Sequence, residues 1–475
     1  MTGKGHRDRM NQPHHTRQPS RPDRTRARSR WQAVGLAGVT GLALTTAGIA
    51  ATPAADAAER TLTSTEDRPG QLDRPSSDSH RDEGKGNDKR KGKSEKENKR
   101  SKGIPVPCDT DKLIAAITLA NARGGGVLDL AKGCTYLLTA NIDGAGLPAV
   151  TAPITLNGGK NTTIKRAAAA PLFRIITVDT GGDLALNHLT IIGGRTPDSG
   201  GGVLVSAGAA AAISHSRILR NVSGQNGGGI SSIGTTHLKY STVRGNVASG
   251  RGGGVESTGT LMLHKSGIQF NSASVAGGIQ SGVPGGIPNA GALSIIDSDV
   301  AENRAQRHGG MLISTGTGLI KNSKVIRNVS LTGSGITSSA QLTLLDSRVT
   351  DNVATGGVGG GILLSANSFT SIRNSIVEDN VGLAGGGIYN EGRLTVTRTK
   401  IVGNQTTTLG GGGIYNRSTG IVDLFATRIT KNIAATDGGG IFNEPGGTVN
   451  LNTATGTVAV RNFPNNCFNV PGCFG

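Results

Sequence analysis

Residues 399–416 read TKIVGNQTTTLGGGGIYN. A Thr is followed two residues on by Ile, five on by Asn, and then by a glycine run that ends in Ile-Tyr-Asn. The phrase recurs along the chain. Its asparagines are Asn221, Asn246, Asn271, Asn303, Asn328, Asn352, Asn380, Asn404, Asn432 and Asn462, spaced by 25, 25, 32, 25, 24, 28, 24, 28 and 30 residues. Ser or Thr stands five residues before each of them, and Ile or Val three before, with Ala459 the exception. After the Asn, a glycine cluster leads to Ile230, Val255, Ile279, Met311, Ile336, Ile362, Ile388, Ile414 or Ile441.

Self-similarity at such a period marks a solenoid or a propeller, and a propeller blade needs about 40 residues. Leucine-rich and hexapeptide frames are absent. The pattern predicts an all-β chain, a single right-handed parallel β-helix with three short strands per coil. Coils stacked about 4.8 Å apart bring equivalent positions into ladders. Ile and Val then form the core. The Asn amides bond their copies above and below and satisfy backbone groups at the bend. Glycine permits the tight turn that follows.

Composition agrees. The 475 residues include 75 Gly and only 3% aromatics, and the one Trp is Trp31, so a core built on large rings is excluded. Without a strict three-residue period this is not collagen. Of the net charge of +18, half falls in residues 104–475, which hold 28 Lys and Arg against 19 Asp and Glu. A basic surface suits acidic polysaccharides or other polyanions, and serves plain solubility equally well.

Residues 1–57 are expected to be a signal peptide: an Arg-rich start, an apolar run over 32–51, and the small-residue site Ala55/Ala57. An uncleaved anchor is the alternative. Residues 58–103, charged and free of aromatics, read as a disordered linker. Residues 104–475 are the β-helix domain. The expected location is secreted, extracellular or cell-wall associated, with no membrane contact after cleavage.

The segment CDTDKLIAAITLANARGGG (108–126) predicts a short helix, N-capped by Thr110 or Asp111 and stopped by Gly124–Gly126. Four cysteines allow three pairings, and their grouping favours Cys108–Cys134 and Cys467–Cys473. The first would pin the helix as an N-terminal cap over the exposed end of the solenoid. The second would close a C-terminal disulfide loop cap, with Pro464 and Pro471 unable to extend a ladder.

The Gly-Gly-[Ile/Val] and [Ile/Val]-x-x-Asn elements resemble polymorphic outer-membrane-protein type repeats. Residues 104–475 more broadly resemble the pectin-lyase-like β-helix superfamily, and the opening CDTDKLIAAITLANARGGGVLDLAKGCTYLLT is similar to the first coil of its secreted actinobacterial members. The resemblance implies the fold. For function it implies a range: lyases, hydrolases, adhesins and passive spikes.

Aligning coils on the Asn isolates three outward patches. Asp297, Asp299, Asp346 and Arg348, with Asn322, Asn374 and Lys324, could imitate the carboxylates and base of the superfamily's lyases or hydrolases. No signature string accompanies them, and a solvated face of alternating charge is the plainer reading. No cofactor is expected, though calcium, an oxygen-ligand ion, could join those carboxylates without catalysis. Tyr389, Tyr415 and Phe442 form an aromatic column, expected to face out and contact sugar, unless a loop covers it. Lys400, Arg428 and Lys431, with Arg398 and Arg417 near, form a basic patch for anionic glycan, or merely a soluble strand face. His188, His215, His237, His264 and His308 fall at different phases and are not expected to stack. The glycine runs are not phosphate loops, and no aromatic-basic platform for nucleic acid is expected. An insertion, Val283–Gly291, would wall a groove beside Asp297 and Asp299. The function expected is a non-enzymatic surface protein that adheres to or binds acidic glycans, with a polysaccharide lyase or glycoside hydrolase, or a purely structural spike, as the alternatives.

Overall fold

The computed structural model describes residues 103–283 and 291–474. The signal peptide, nearly all of the linker, and the insertion's interior lie outside the described residues.

One coil illustrates the rest. Ala210–Ser214, Arg217–Leu219, Val222–Ser223 and Ile230–Ser232 are its strands, and Thr235 of the next coil pairs in parallel with Ala210. Among the described residues stacking generates four parallel sheets, named here in the order the chain visits them: sheet 1 with 14 strands, sheet 2 with 13, sheet 3 with 9 and sheet 4 with 12. The chain is thus a parallel β-solenoid. Nine successive coils, from Asp183 to Asn416, have four strands, correcting the expected three; the described coils before and after them lack the sheet 3 strand. The additional one, Val222–Ser223 in this coil, is two residues long and follows the Asn directly. A strand that short displays no alternation from which to read it.

The ladder logic holds. Ile218, Val243, Ile268, Val325 and Ile401 in sheet 2 face Ile230, Val255, Ile279, Ile336 and Ile414 in sheet 4, all essentially without solvent exposure. Burying each such side chain contributes about 1.5–3 kcal/mol. Between sheets 2 and 3 the asparagines form one continuous stack. Asn328 Nδ2 donates to Asn352 Oδ1 (3.0 Å) and to the Val300 carbonyl (3.0 Å), while Asn328 Oδ1 accepts from the Asn303 backbone N–H and Nδ2 (3.0 Å each). The stack begins at the Gly194 N–H and ends on Asn466.

The corner between sheets 1 and 2 is built differently. Its Ser or Thr closes it: the Ser216 N–H donates to Ser241 Oγ (3.1 Å), and Ser241 Oγ donates to the Lys239 carbonyl (2.9 Å). The residue just before that hydroxyl is left-handed in every repeat, from His215 (φ 50°) to Arg398 (φ 47°), and His188 (φ 57°) makes the same turn ahead of Leu189.

The N-terminal helix spans Thr110–Ala122 and buries Leu113, Ile117 and Ala120. Its N-cap is Asp109, one residue earlier than expected, whose carboxylate accepts from the Asp111 and Lys112 N–H groups. An Asp at that place caps as well as Thr. Both disulfides pair as the grouping favoured, Cys108–Cys134 and Cys467–Cys473. The C-terminal loop does extend a ladder: Cys467–Phe468 is the last strand of sheet 4, on Ile441–Phe442. Among the described residues no helix is long and apolar enough to cross a membrane.

Candidate functional site

The acidic candidates occupy the left-handed corner. Asp297, Asn322, Asp346 and Asn374 have φ between 49° and 51°, a conformation that Asn and Asp tolerate best among side-chain-bearing residues. That geometry accounts for their residue types without chemistry. Asp297 and Asp346 are two rungs apart, roughly 10 Å, with Asn322 between them. Asp346 accepts a hydrogen bond from Asn374 (3.1 Å), whose oxygen in turn accepts from Arg398 (2.8 Å). Asp297 lies 3.9 Å from His264. Asp299 is in register with Lys324, and Lys324 with Arg348, on sheet 2. Arg348 reaches Glu378 at 3.9 Å. Among the described residues, no three His, Cys, Asp or Glu side chains converge as a metal site.

The aromatic column stacks with its tyrosines buried, Phe442 half-buried and the last ring, Phe468, 38% exposed. Tyr389, Tyr415, Phe442 and a fourth ring, Phe468, follow at centroid spacings of 5.2, 4.9 and 4.7 Å. Tyr389 is 6% and Tyr415 8% exposed, which corrects the expected exposed platform. The glycine-rich turn of each coil folds over the strand that follows it. A Cβ on Gly385 would lie 2.8 Å from Tyr389 Cβ, and one on Gly411 2.7 Å from Tyr415 Cβ. Glycine is needed there for that approach as much as for its positive φ. Burial pushes both phenols above their ordinary range, and for Tyr415 the Glu444 carboxylate that accepts its hydrogen bond (2.8 Å) adds to the shift. Arg417 donates to the Tyr389 hydroxyl (3.2 Å) and pairs with Glu444 (3.4 Å). It therefore belongs to the sheet 4 side, away from Lys400 and Arg428.

The same cover buries a polar part of this column. Ser231 donates to Glu256 (2.8 Å), and burial raises the Glu256 carboxyl above its usual range. Gln280 donates three hydrogen bonds through Nε2, while its Oε1 is buried without a partner.

The basic candidates stay exposed. Lys400 and Arg428 are neighbours in register on sheet 2, and Lys431 stands at the next corner. Among the described residues none of the three has an ion pair. Residues 398–404, 426–432 and 455–462 contain no Asp or Glu, so this end of the sheet 2 face is uniformly basic. Its middle is mixed, with Glu302 and Arg327 paired at 3.0 Å.

One constellation escaped the sequence reading. His188 and His215 stack face to face at 4.8 Å, and His215 stacks on Tyr240 at 4.9 Å, on the exposed corner between sheets 1 and 2. This corrects the expectation that the histidines do not stack. Lys239 and Lys265 approach the Tyr240 ring at 5.7 and 5.5 Å, and Arg244 covers Phe270 at 4.0 Å, so rings and cations do interleave here. The signal was in the sequence. Each ring stands six residues before a ladder position, but at His188 that position is Gly194 rather than Asn, and at the third rung the ring is Tyr.

No family model and no curated protein matches this chain. Among solved structures, the crystal structure of the Dettilon tailspike protein (gp208) is similar, at 13% identity and a TM-score of 0.37, over 72% of this chain. The match spans 65% of that chain, less than two thirds of its length.

Proposed function

We propose that this protein is a secreted, non-catalytic β-solenoid that binds an acidic polysaccharide along its sheet 2 face. The observation that carries the reading is the carboxylate-free end of that face, where Lys400, Arg428 and Lys431 stand exposed and unpaired among the described residues. Cations on successive rungs offer a linear polyanion a repeating set of contacts, and the chain segments that carry them hold no Asp or Glu. Two disulfides fit an oxidising compartment, as does the expected signal peptide.

The test is retention of the protein on polygalacturonate and on a neutral glucan, at low and high salt, with assay of released products and with and without calcium. Retention on the acidic polymer alone, weakened by salt and by Lys400→Ala with Arg428→Ala, is the expected outcome. Equal retention on both polymers would sink the binding reading. Product release that disappears in Asp297→Ala and Asp346→Ala would replace it with the enzymatic one.

A further inference from the structure

We propose that a second, distinct subsite lies at the other end of the same face: the depression beside the His188–His215 stack, which takes the anionic group of one acidic saccharide unit. The depression measures about 280 Å³. Lys160, His188, His215 and Arg217 line it, and its remaining side chains are the neutral Asn161, Thr162, Leu189 and Thr190. Every lining group able to ionise is therefore a cation or an imidazole. The corner and sheet 2 segments that pass it, residues 160–166, 188–193, 215–220 and 240–245, contain no Asp or Glu. Lys160 and Arg217 are exposed and have no ion pair among the described residues.

Four cationic or imidazole side chains around one hollow, with no carboxylate among them, favour an anion, and hydrogen bonds to a charged acceptor are the strong kind. Two features point to a saccharide rather than a bare inorganic ion. Asn161 and Thr190 add neutral donors and acceptors suited to hydroxyl groups. The ring column continues past the hollow to Tyr240, which is 43% exposed and extends a flat, amphipathic edge along the solenoid axis. The rings stack on one another, so the ligand meets their edges, where the imidazole nitrogens are. The left-handed corner holds these edges in place: the φ values of 57° at His188 and 50° at His215 fix where each ring leaves the backbone.

The inference rests on the acidic-polysaccharide reading for its ligand class, and the experiment separates the two. Full-length protein is titrated with trigalacturonate, with maltotriose and with inorganic phosphate while the histidine ring-proton signals are followed by NMR. His188→Asn and His215→Asn assign the signals, since Asn accepts a left-handed backbone. The expected result is a saturable shift of both signals with trigalacturonate and none with maltotriose. Lys160→Ala with Arg217→Ala should weaken that response about tenfold, the scale of one charge-assisted hydrogen bond; Arg217→Gln alone serves if the double variant melts early. Lys400→Ala with Arg428→Ala should leave it intact. Absence of a shift, an equal shift with maltotriose, a response to phosphate alone, or indifference to the Lys160 and Arg217 changes each overturns the subsite. Loss of polymer retention at Lys400 and Arg428 with a silent corner leaves the wider reading standing without it. A corner response without polymer retention does the reverse.

Discussion

The two corners that bound sheet 2 turn the chain by similar means and differ in what they leave free. At each, a single left-handed residue makes the bend, such as Asn322 (φ 49°) at the first and Arg327 (φ 53°) at the second. At the second corner the next residue is Asn, buried in every repeat, its amide spent on backbone and on its neighbours in the stack. At the first corner the following Ser or Thr satisfies the backbone with its hydroxyl, as Ser241 does for Ser216. The left-handed residue ahead of it is then released from structural duty beyond its φ. Its side chain points outward and varies from His215 to Tyr240, Lys265, Asp297, Asn322 and Arg398. Uniformity marks where a side chain holds the coil, and variety marks where it is available to a ligand.

The largest effect should come from breaking the buried corner. Asn328→Leu removes amide bonds to two neighbouring coils, among them the one to the Val300 carbonyl, and strands the Asn303 N–H. A loss of roughly 3 kcal/mol follows, measured by denaturant unfolding. Asn322→Gly, six residues earlier on the exposed corner, keeps the left-handed turn and should change stability by less than about 0.5 kcal/mol. Equal losses at the two sites would erase the distinction between the corners.

A second, smaller effect is acid sensitivity at a third left-handed column, the glycine turn. His308 (φ 62°) occupies the place held by Gly333 in the following coil and sits against Thr337 at 2.9 Å. Burial, with the Arg307 charge assisting, lowers its pKa from 6.5 to about 4. The folded state therefore keeps it neutral where the unfolded chain protonates. Its contribution is full above pH 6.5 and lost as pH falls toward 4, by up to about 3 kcal/mol. The difference between wild type and His308→Gly in unfolding free energy, compared at pH 7.5 and 4.5, should display that slope; parallel curves would show that His308 titrates freely.

Glu256 tests the same cover over sheet 4 with the opposite sign. Its raised carboxyl pKa means the folded state prefers the protonated form, so its ionisation costs stability as pH rises. Glu256→Gln keeps the acceptor for Ser231 and removes the charge, and should raise stability near pH 7 by about 1 kcal/mol. A lower melting temperature in this variant would mean that the site is wet. The smallest expected effect is Asp346→Asn, within about 0.5 kcal/mol, because Asn occupies this conformation in adjacent coils at Asn322 and Asn374.

Much of this was legible beforehand. The recurring Asn, the Ile and Val around it and the trailing glycines specified a parallel solenoid, and the cysteine grouping specified its disulfide caps. The short sheet 3 strands were not legible, because two to four residues show no period. The direction of Tyr389 and Tyr415 was legible, and their burial was not. In the phrase GGGIYN the glycines and the ring are neighbours in sequence, yet the turn covers the ring only because the backbone doubles back on its own strand.

What the sequence alone determined is therefore everything that depends on periodicity: which positions stack, which face the core, and which amides form the ladder. These follow because a coil of constant length brings like residues together whatever surrounds them. The tertiary structure alone decided which outward positions meet water. The outward columns of sheets 2 and 4 both alternate with core residues, and one is covered by a glycine turn while the other is bare. That difference placed the tyrosines inside and left the histidine corner and the lysine and arginine rungs in reach of a ligand.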